Sequence, residues 1–321
     1  MPGRVPGMLN AEESLGAAFC AVPDCSMTTD VASASCAGQR VLASGITAVA
    51  DVSLPNGFVV ACLQRHEVPI VHREVQSYFS KDLTLAPGDT VFDVGANIGL
   101  FALEVYERCL GNVRLYAFEP VAAIFDVLRA NMDRCDASDQ LKIFAFGLSS
   151  SAGPVAFAYY PQVPILSTAF PDEEADLKVA TYATLQNVMH FADAPLALRC
   201  LRWVPARLRA PIVHHAIKRA LRAKRVVCDM QTLSQVVRDH GIERIHLLKI
   251  DAERAELEIF RGIEARDWPK IQQVVVEVHD LEGRLEMMTA LLQEHGLSGI
   301  VVDQPPTLTG SNIYSVFARR P

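Results

Sequence analysis

The sequence lacks the features that mark several common classes of protein. No run of 18 consecutive apolar residues occurs among its 321 residues, so a transmembrane helix is not expected. The N-terminal region has one early basic side chain, Arg4, but no compact apolar segment of the kind found in a secretory signal peptide. These absences predict a cytoplasmic protein.

Cysteine pairs with metal-binding spacing are also absent. The eight cysteines are dispersed along the chain and form no C-x-x-C pair, which disfavours a zinc site. A dispersed set in a chain of this length fits a reducing compartment, where cysteines act as small apolar core residues. No metal-binding residues are therefore assigned from the sequence, and whether a metal is needed stays open.

Positive charge is scarce overall but concentrated in one segment. The net charge of −7 argues against nucleic acid as a partner. Half of the residues are hydrophobic, so a substantial core can form. Between Pro195 and Cys228, however, the chain has nine arginines and lysines and no acidic residue.

Hydrophobic patterning predicts a regular alternation of strands and helices over most of the chain. Strand-like segments occupy residues 91–95, 114–119, 141–147, 245–251, 273–279, 298–303 and 313–318. Helical segments between most of them occupy residues 100–109, 121–134, 231–240, 253–264 and 283–295. This order predicts a doubly wound, mostly parallel, seven-stranded α/β sheet. Since no helix separates the last two strands, one antiparallel edge strand is expected.

Two regions do not follow the alternation. Residues 1–40 lack periodicity and are predicted to form a loosely ordered N-terminal arm, which leaves residues 41–321 as one domain. From Pro164 to Val227 the sequence becomes helical and basic, an insertion that would lie over the carboxyl ends of the strands. Four interpretations stay open: a substrate cap, a surface for an anionic partner, a plain structural insert, or a helix on a membrane surface. The apolar side of such a membrane helix would consist of Leu201, Trp203, Val204, Leu208, Ile212, Val213, Ile217 and Leu221.

The segment TVFDVGANIG, residues 90–99, is the most informative in the chain. A buried strand ends in a glycine turn, and the next predicted strand ends in Glu119, where a carboxylate can accept hydrogen bonds from both hydroxyls of a ribose. Asn97 replaces the second glycine of a dinucleotide fingerprint, so a pyrophosphate is not favoured. Asp93 would repel phosphate but attract an ammonium group. The pattern predicts S-adenosylmethionine as the cofactor.

Two further strand ends carry ionisable residues. Lys249 and Asp251 lie two residues apart, as do Glu277 and His279, so each pair shares one face of its strand. Buried charges of this kind are costly unless they are paired or open onto a ligand pocket. We predict that all four are catalytic and converge beside the cofactor, with His279 as the best-matched base at neutral pH. A structural ion pair with a surface histidine is the alternative.

Four motifs together resemble the FkbM-type methyltransferases: LPNG at 54–57, VFDVGANIG at 91–99, LLKIDAERAELEIFRGI at 247–263 and VVVEVHD at 274–280. The resemblance implies a class I methyltransferase fold and O-methylation of a hydroxyl. The sequence is most similar to family members that work in polyketide and nonribosomal-peptide pathways. It implies cofactor contacts at Asp93, Gly95, Asn97, Gly99 and Glu119. After the third strand, Gly147-Leu148-Ser149 replaces the acidic residue that many class I enzymes use on the adenine amino group, so adenine contact is expected there from backbone atoms or Ser149. Arg254 departs from the family pattern, which has glycine there.

The acceptor is not determined by these motifs. A small-molecule or carrier-bound hydroxyl is expected, and sugar or lipid acceptors stay open. Peripheral membrane contact through the insertion and the oligomeric state also stay open. The competing functions are a nicotinamide-dependent oxidoreductase, disfavoured by Asn97, and a non-catalytic protein that binds a nucleoside cofactor.

Overall fold

The computed structural model describes residues 49–81, 83–135, 140–186, 188–190, 196–304 and 308–321. The predicted arm at residues 1–40 lies outside this part of the chain. The described chain begins with an antiparallel hairpin of β1 (Ala50–Ser53) and β2 (Val59–Cys62), joined through the Pro55-Asn56-Gly57 turn. Helix α1 (Val68–Tyr78) follows, with Pro69 in its first turn.

The central sheet confirms the predicted strand and helix order. Its strands are β3 (Thr90–Val94), β4 (Arg114–Phe118), β5 (Leu141–Phe144), β9 (Leu247–Ile250), β10 (Gln273–His279), β11 (Ser298–Asp303) and β12 (Ile313–Arg319). Its helices are α2 (Leu100–Arg108), α3 (Ala122–Met132), α7 (Leu233–Asp239), α8 (Glu256–Arg261) and α9 (Arg284–Glu294). The spatial strand order is β11-β12-β10-β9-β3-β4-β5.

Helices cover both faces of this sheet, as expected for a doubly wound fold. Val91 of β3 points to the face packed by α2 and α3, whereas its neighbour Phe92 points to the face packed by α7, α8 and α9. The continuous apolar runs of the central strands follow from this burial on both sides. No helix in the described ranges has the length and apolar character needed to cross a bilayer.

The position of the antiparallel strand differs from the prediction. β12 is antiparallel to both neighbours, but it lies between β10 and β11 rather than at the edge. The edge strand is β11, which has mostly exposed residues, whereas β12 is almost entirely buried. The more apolar strand therefore occupies the position with a partner on each side.

A second, smaller sheet was missed by the sequence reasoning. β6 (Gly147–Leu148), β7 (Gly153–Tyr159) and β8 (Lys224–Gln231) form it in the order β6-β8-β7, with β7 and β8 antiparallel. Four residues of β8 lie inside the segment that was predicted to be a helical insertion. Basic, exposed side chains at the start of β8 hide its strand character from periodicity.

Helices fill the connection between β7 and β8. They are α4 (Glu173–Gln186), α5 (Leu196–Cys200) and α6 (Ala206–Ala220), with short 3-10 turns at Pro164–Leu166, Val188–His190 and Leu201–Trp203. Leu201, Val213, Ile217 and Leu221 are buried in a small core between these helices. Half of the apolar side that a membrane helix would need is therefore turned inward, although Trp203 is 87% exposed.

Candidate active site

A cavity of about 290 Å³ lies at the carboxyl ends of β3, β4, β9 and β10. We call its two regions the turn end, lined by Gly95, Asn97, Glu119 and Gly147, and the acidic end, lined by Glu74, Asp251, Glu253, Glu277 and His279. Residues of α1 and of α4, including Val71 and Val179, also line the cavity. The first helix of the insertion therefore borders the site.

The glycine turn is fixed by close packing against the neighbouring strand. Gly95 has φ +75°, and a Cβ at this position would lie 1.7 Å from the backbone oxygen of Asp251. Gly99 begins α2 with φ +91°, and a Cβ there would lie 2.7 Å from the Leu128 side chain. Only glycine avoids both the left-handed strain and these contacts. Gly95 and Gly99 are therefore required by the packing of the turn itself, whether or not a ligand is bound.

A buried asparagine outside the sequence motifs holds the turn in place. Asn131 of α3 is fully buried and donates hydrogen bonds to the backbone oxygens of Ile98 and Ala61, at 2.7 and 3.0 Å. Its side-chain oxygen accepts from the Ala61 nitrogen at 2.7 Å. The hairpin is therefore connected directly to the turn, an arrangement without a local sequence signal.

Glu119 is positioned by two backbone donors. Its carboxylate accepts hydrogen bonds from the nitrogens of Asn97 and Val121, at 3.1 and 2.9 Å. Burial raises the pKa of Glu119 to about 7, although the two backbone hydrogen bonds oppose this shift. Each carboxylate oxygen keeps lone pairs free to accept further donors from the cavity.

Lys249 lies between the two ends of the cavity and neutralises buried acids. Its Nζ lies 3.1 Å from Asp93 Oδ1 and 3.5 Å from Asp251 Oδ2, and it donates to the Gly95 oxygen at 2.8 Å. Burial alone would lower the pKa of Lys249, but the charges of Asp93 and Asp251 raise it above its ordinary value. The lysine is therefore cationic and fixed in place.

Two carboxyl groups of the acidic end contact each other. Glu277 of β10 is 5% exposed and shares a hydrogen bond with Glu74 of α1, which also accepts from the Tyr78 hydroxyl at 3.2 Å. Burial, together with the Asp251 charge, raises the pKa of both carboxyl groups, that of Glu74 to about 7. Neither forms a salt bridge with a described lysine, arginine or histidine.

His279 lies between two other carboxylates. Its Nε2 is 3.3 Å from Glu253 Oε2, and its Nδ1 is 3.3 Å from Glu256 Oε1. Burial lowers the pKa of His279, but the hydrogen bonds to Glu253 and Glu256 outweigh burial and raise it to about 10. The imidazole by itself is therefore protonated at neutral pH, which does not favour the base role assigned to it from the sequence.

Arg254 has a structural use that explains its departure from the family pattern. It keeps the left-handed backbone that a glycine would adopt, with φ +78°. Its guanidinium forms a buried ion pair with Asp176 of α4 and donates to the Phe170 oxygen at 3.1 Å. The residue therefore attaches the insertion to the loop after β9, at the cost of local strain.

The structure brings together most of the predicted site residues. The cavity is lined by Gly95, Asn97, Glu119, Gly147, Lys249, Asp251, Glu277 and His279. Asp93 and Gly99 lie outside the lining: Asp93 forms an ion pair with Lys249, and Gly99 begins α2. Ser149 is not in the lining; its backbone nitrogen pairs with the Gln231 oxygen at 2.8 Å, and Leu148 borders the cavity instead.

Sequence reasoning missed two groups at the acidic end. Glu74 comes from α1, a helix outside the sheet alternation, and no motif marks it. Glu253 follows β9 in the sequence DAER, within a motif that was quoted, but its own side chain was not singled out. Both enter the cavity because α1 and the loop after β9 pack over the strand ends.

Comparison with known proteins places this geometry in a family. Residues 93–297 match the family described as "Methyltransferase FkbM domain". The chain is 34% identical to the 31-O-demethyl-FK506 methyltransferase FkbM of Streptomyces tacrolimicus, over 85% of this chain and 97% of that protein. It is 31% identical to the methyltransferase sdnD of Sordaria araneosa, over 73% and 83% of the two chains.

A third match lies within a much longer protein. The chain is 32% identical to the AMB antimetabolite synthetase AmbE of Pseudomonas aeruginosa, over 94% of this chain but only 14% of that one. The matched family segment extends from Asp93 in the glycine-turn strand to α9 and includes both polar strand ends. Its members carry a methyltransferase fold, which implies a cofactor of the S-adenosylmethionine type. The chain belongs to the FkbM methyltransferase family.

Proposed function

We propose that the protein transfers a methyl group from S-adenosylmethionine to a hydroxyl of a specialised metabolite. The observation that carries this proposal is one continuous cavity with a ribose-type carboxylate, Glu119, at one end and a set of buried ionisable groups at the other. S-adenosylmethionine supplies an electrophilic methyl group on a sulfonium. The chain's own residues must bind the donor, exclude water and handle the acceptor proton.

The turn end fits the nucleoside part of this donor. Glu119 faces the cavity from the tip of β4, and Gly147 follows β5, the next strand in the sheet. Adjacent strands are about 4.8 Å apart, so in this proposal Glu119 lies beside the ribose and Gly147 beside the base. The methionine part then lies toward β3 and β9, where acidic Asp251 attracts its ammonium group.

The acidic end fits the acceptor. It lies beyond β9, on the side of the donor's methyl group, and it offers the carboxyl groups of Glu74, Glu253 and Glu277. A carboxylate within hydrogen-bond distance of the acceptor hydroxyl can accept its proton as the methyl group is transferred. Lys249 holds Asp93 and Asp251 in fixed positions, and α4 excludes water from above.

The names of two relatives support a class of acceptor. One is named for a 31-O-demethyl acceptor, and another is part of an antimetabolite synthetase. We propose a hydroxyl of a comparable metabolite, free or held on a carrier. The four predicted catalytic residues, Lys249, Asp251, Glu277 and His279, keep that role in the proposal, with proton removal assigned to a carboxylate rather than to His279.

Calorimetry and a methyl-transfer assay together test this function. Titration with S-adenosylmethionine is expected to show one saturable site, and NADH is expected not to bind. Incubation with methyl-labelled donor and a panel of hydroxyl-bearing metabolites should then transfer label to an oxygen. Binding of NADH in preference to S-adenosylmethionine would contradict the proposal, as would label found only on nitrogen or carbon.

A further inference from the structure

The acidic end contains more negative groups than its basic residues balance. Glu74, Asp251, Glu253 and Glu277 line it, whereas the positive charges in the described lining are Lys249, His279 and Arg254. Arg254 is already paired with Asp176 of α4. Lys249 is also engaged by Asp93 behind the cavity. Buried carboxylates without a cationic partner are costly, so this region favours a cationic ligand.

Three of these side chains converge in the manner of metal ligands. One carboxylate oxygen of Glu253, one of Glu277 and one ring nitrogen of His279 all lie within 4.8 Å of one another. The Glu253 oxygen and His279 Nε2 are 3.3 Å apart. Two ligands that each lie about 2.1 Å from one ion are about 3.0–3.4 Å apart in octahedral or tetrahedral geometry. The pair thus already has the spacing of adjacent ligands.

A buried carboxylate outside this set orients the imidazole. Glu256 is fully buried, and its Oε1 lies 3.3 Å from His279 Nδ1. Histidines that bind metals almost always donate their second N–H to such a carboxylate or carbonyl, which leaves the other nitrogen directed at the ion. Here that nitrogen is Nε2, the one directed toward Glu253. Glu277, 5% exposed and without a described basic partner, completes the set from β10.

We propose that Glu253, Glu277 and His279 bind a divalent transition-metal ion at the acidic end of the cavity. Two carboxylates and one imidazole suit ions such as Mn²⁺, Fe²⁺ or Zn²⁺. The ion takes the place of the proton on His279 Nε2, and that proton is released to solvent. Three protein ligands leave coordination positions open toward the cavity. If the proposed function holds, the acceptor hydroxyl binds there and loses its proton more readily. Cysteine spacing, which disfavoured zinc, gave no sign of this set.

Direct metal binding tests the proposal without an activity assay. The full chain is stripped with a chelator and titrated with Co²⁺, read by visible absorption, and with Mn²⁺, read by calorimetry. We expect one saturable site. Glu253→Gln and His279→Gln should weaken binding by roughly ten- to a hundred-fold, and Glu256→Gln should weaken it through loss of the orienting contact. Glu286→Gln, on the exposed start of α9, removes the same charge elsewhere and should change nothing.

The result that overturns the proposal is absence of saturable binding to the stripped wild-type chain, or equal affinity in wild type, Glu253→Gln and His279→Gln. Circular dichroism of each variant verifies that it folds, and Glu253, on a partly exposed loop, is the substitution that the fold tolerates best. Methyl transfer by the stripped protein at the rate of the untreated protein would reject the metal's role but leave the proposed function intact. Metal binding without methyl transfer would support the metal site and contradict the proposed function.

Discussion

The turn end of the cavity is built mainly from backbone, whereas the acidic end is built from side chains. At the turn end, Gly95 and Gly99 fix the chain path, and Glu119 is held by two backbone nitrogens. At the acidic end, groups from α1, β9, β10 and the loop after β9 meet through long side chains such as Glu74 and Glu277. A backbone site depends on local sequence, but a side-chain site depends on which elements pack together.

The difference also concerns charge. The turn end contains one carboxylate with backbone partners, so its electrostatics are simple. The acidic end contains several coupled carboxyl groups, and their protonation depends on each neighbour. Substitutions at the turn end should therefore change donor binding in a predictable way, whereas those at the acidic end should affect the acceptor, the metal and stability together.

The largest effect is expected for Gly95→Val. The new Cβ would lie 1.7 Å from the Asp251 oxygen, at a φ of +75°. The turn and β9 must separate, so we expect S-adenosylmethionine binding to be lost in calorimetry. Gly57→Ala is the matched control, because its φ is +90° but no atom lies within 4 Å of the added Cβ. It should cost only about 1–2 kcal/mol of stability and leave binding unchanged. Equal behaviour of both variants would refute the packing argument.

Loss of the central lysine should be the next largest effect. Lys249→Met leaves Asp93 and Asp251 without their cation, and removing one partner of a buried ion pair costs roughly 3–5 kcal/mol. Denaturant unfolding should show this loss. The double substitution Lys249→Met with Asp93→Asn should recover much of it. Lys178→Met, in an exposed pair with Glu174, should leave the stability almost unchanged, because solvent screens such a pair. A small loss of stability in Lys249→Met would show that Lys249 is not the main cation that neutralises Asp93 and Asp251.

Glu119 should couple donor binding to pH. Its pKa is raised to about 7 in the folded chain, from an ordinary value of 4.5, so the protonated form is favoured by folding. This group alone should therefore make stability without ligand fall by about 3 kcal/mol as pH rises from 4.5 to 7. Ribose hydroxyls donate two hydrogen bonds only to the ionised form, so donor affinity should rise as Glu119 ionises, about tenfold between pH 6 and pH 8.

Substitution separates this effect from other titrating groups. Glu119→Gln should remove the pH dependence of donor affinity between pH 6 and pH 8 and only its own share of the pH dependence of stability, because Glu74, with a pKa also raised to about 7, still titrates. Glu119→Ala should weaken binding by about ten- to a hundred-fold. Calorimetry across pH with unfolding at each value gives both measurements. An unchanged pH profile in the glutamine variant would assign the dependence to another residue.

A smaller effect is expected where the insertion meets the site. Arg254→Gly removes the ion pair to Asp176 but also the strain of a non-glycine residue at φ +78°. Arg254→Ala removes the ion pair and keeps the strain, so it should be less stable than the glycine variant by about 1 kcal/mol. Both should raise the acceptor KM more than kcat, since α4 is freed. The opposite stability order would exclude strain at this position.

The smallest effect is expected on the outer surface of the insertion. The side chains of Arg219 and Arg222 are exposed and lie outside the cavity lining, so they do not bind a small acceptor inside it. We expect Arg219→Glu with Arg222→Glu to raise the KM for a carrier-bound acceptor a fewfold, through a slower on-rate, while KM for a free acceptor is unchanged. Added salt should mimic the change. Equal kinetics with both acceptors would leave the basic surface without an electrostatic role.

The outcome of sequence reasoning follows the same division between local and distant contacts. The glycine turn, Glu119 and the shared face of Lys249 and Asp251 were predictable, because each depends on neighbours along one strand or one crossover. The observed distance of 3.5 Å between Lys249 Nζ and Asp251 Oδ2 agrees with that shared face. Glu74 was not predictable, because α1 packs over β10 from about 200 residues away in the chain.

The sequence by itself determined the alternation of strands and helices, the turn and the family, because apolar periodicity and glycine placement are local properties. Tertiary structure decided three other features: β12 lies inside the sheet, Arg254 joins the insertion to the site, and His279 lies between Glu253 and Glu256. The proton on His279 and the spacing of its carboxylate neighbours arise only when separate elements are packed and water is excluded. Burial and charge pairing are properties of the folded molecule, and no stretch of sequence contains them.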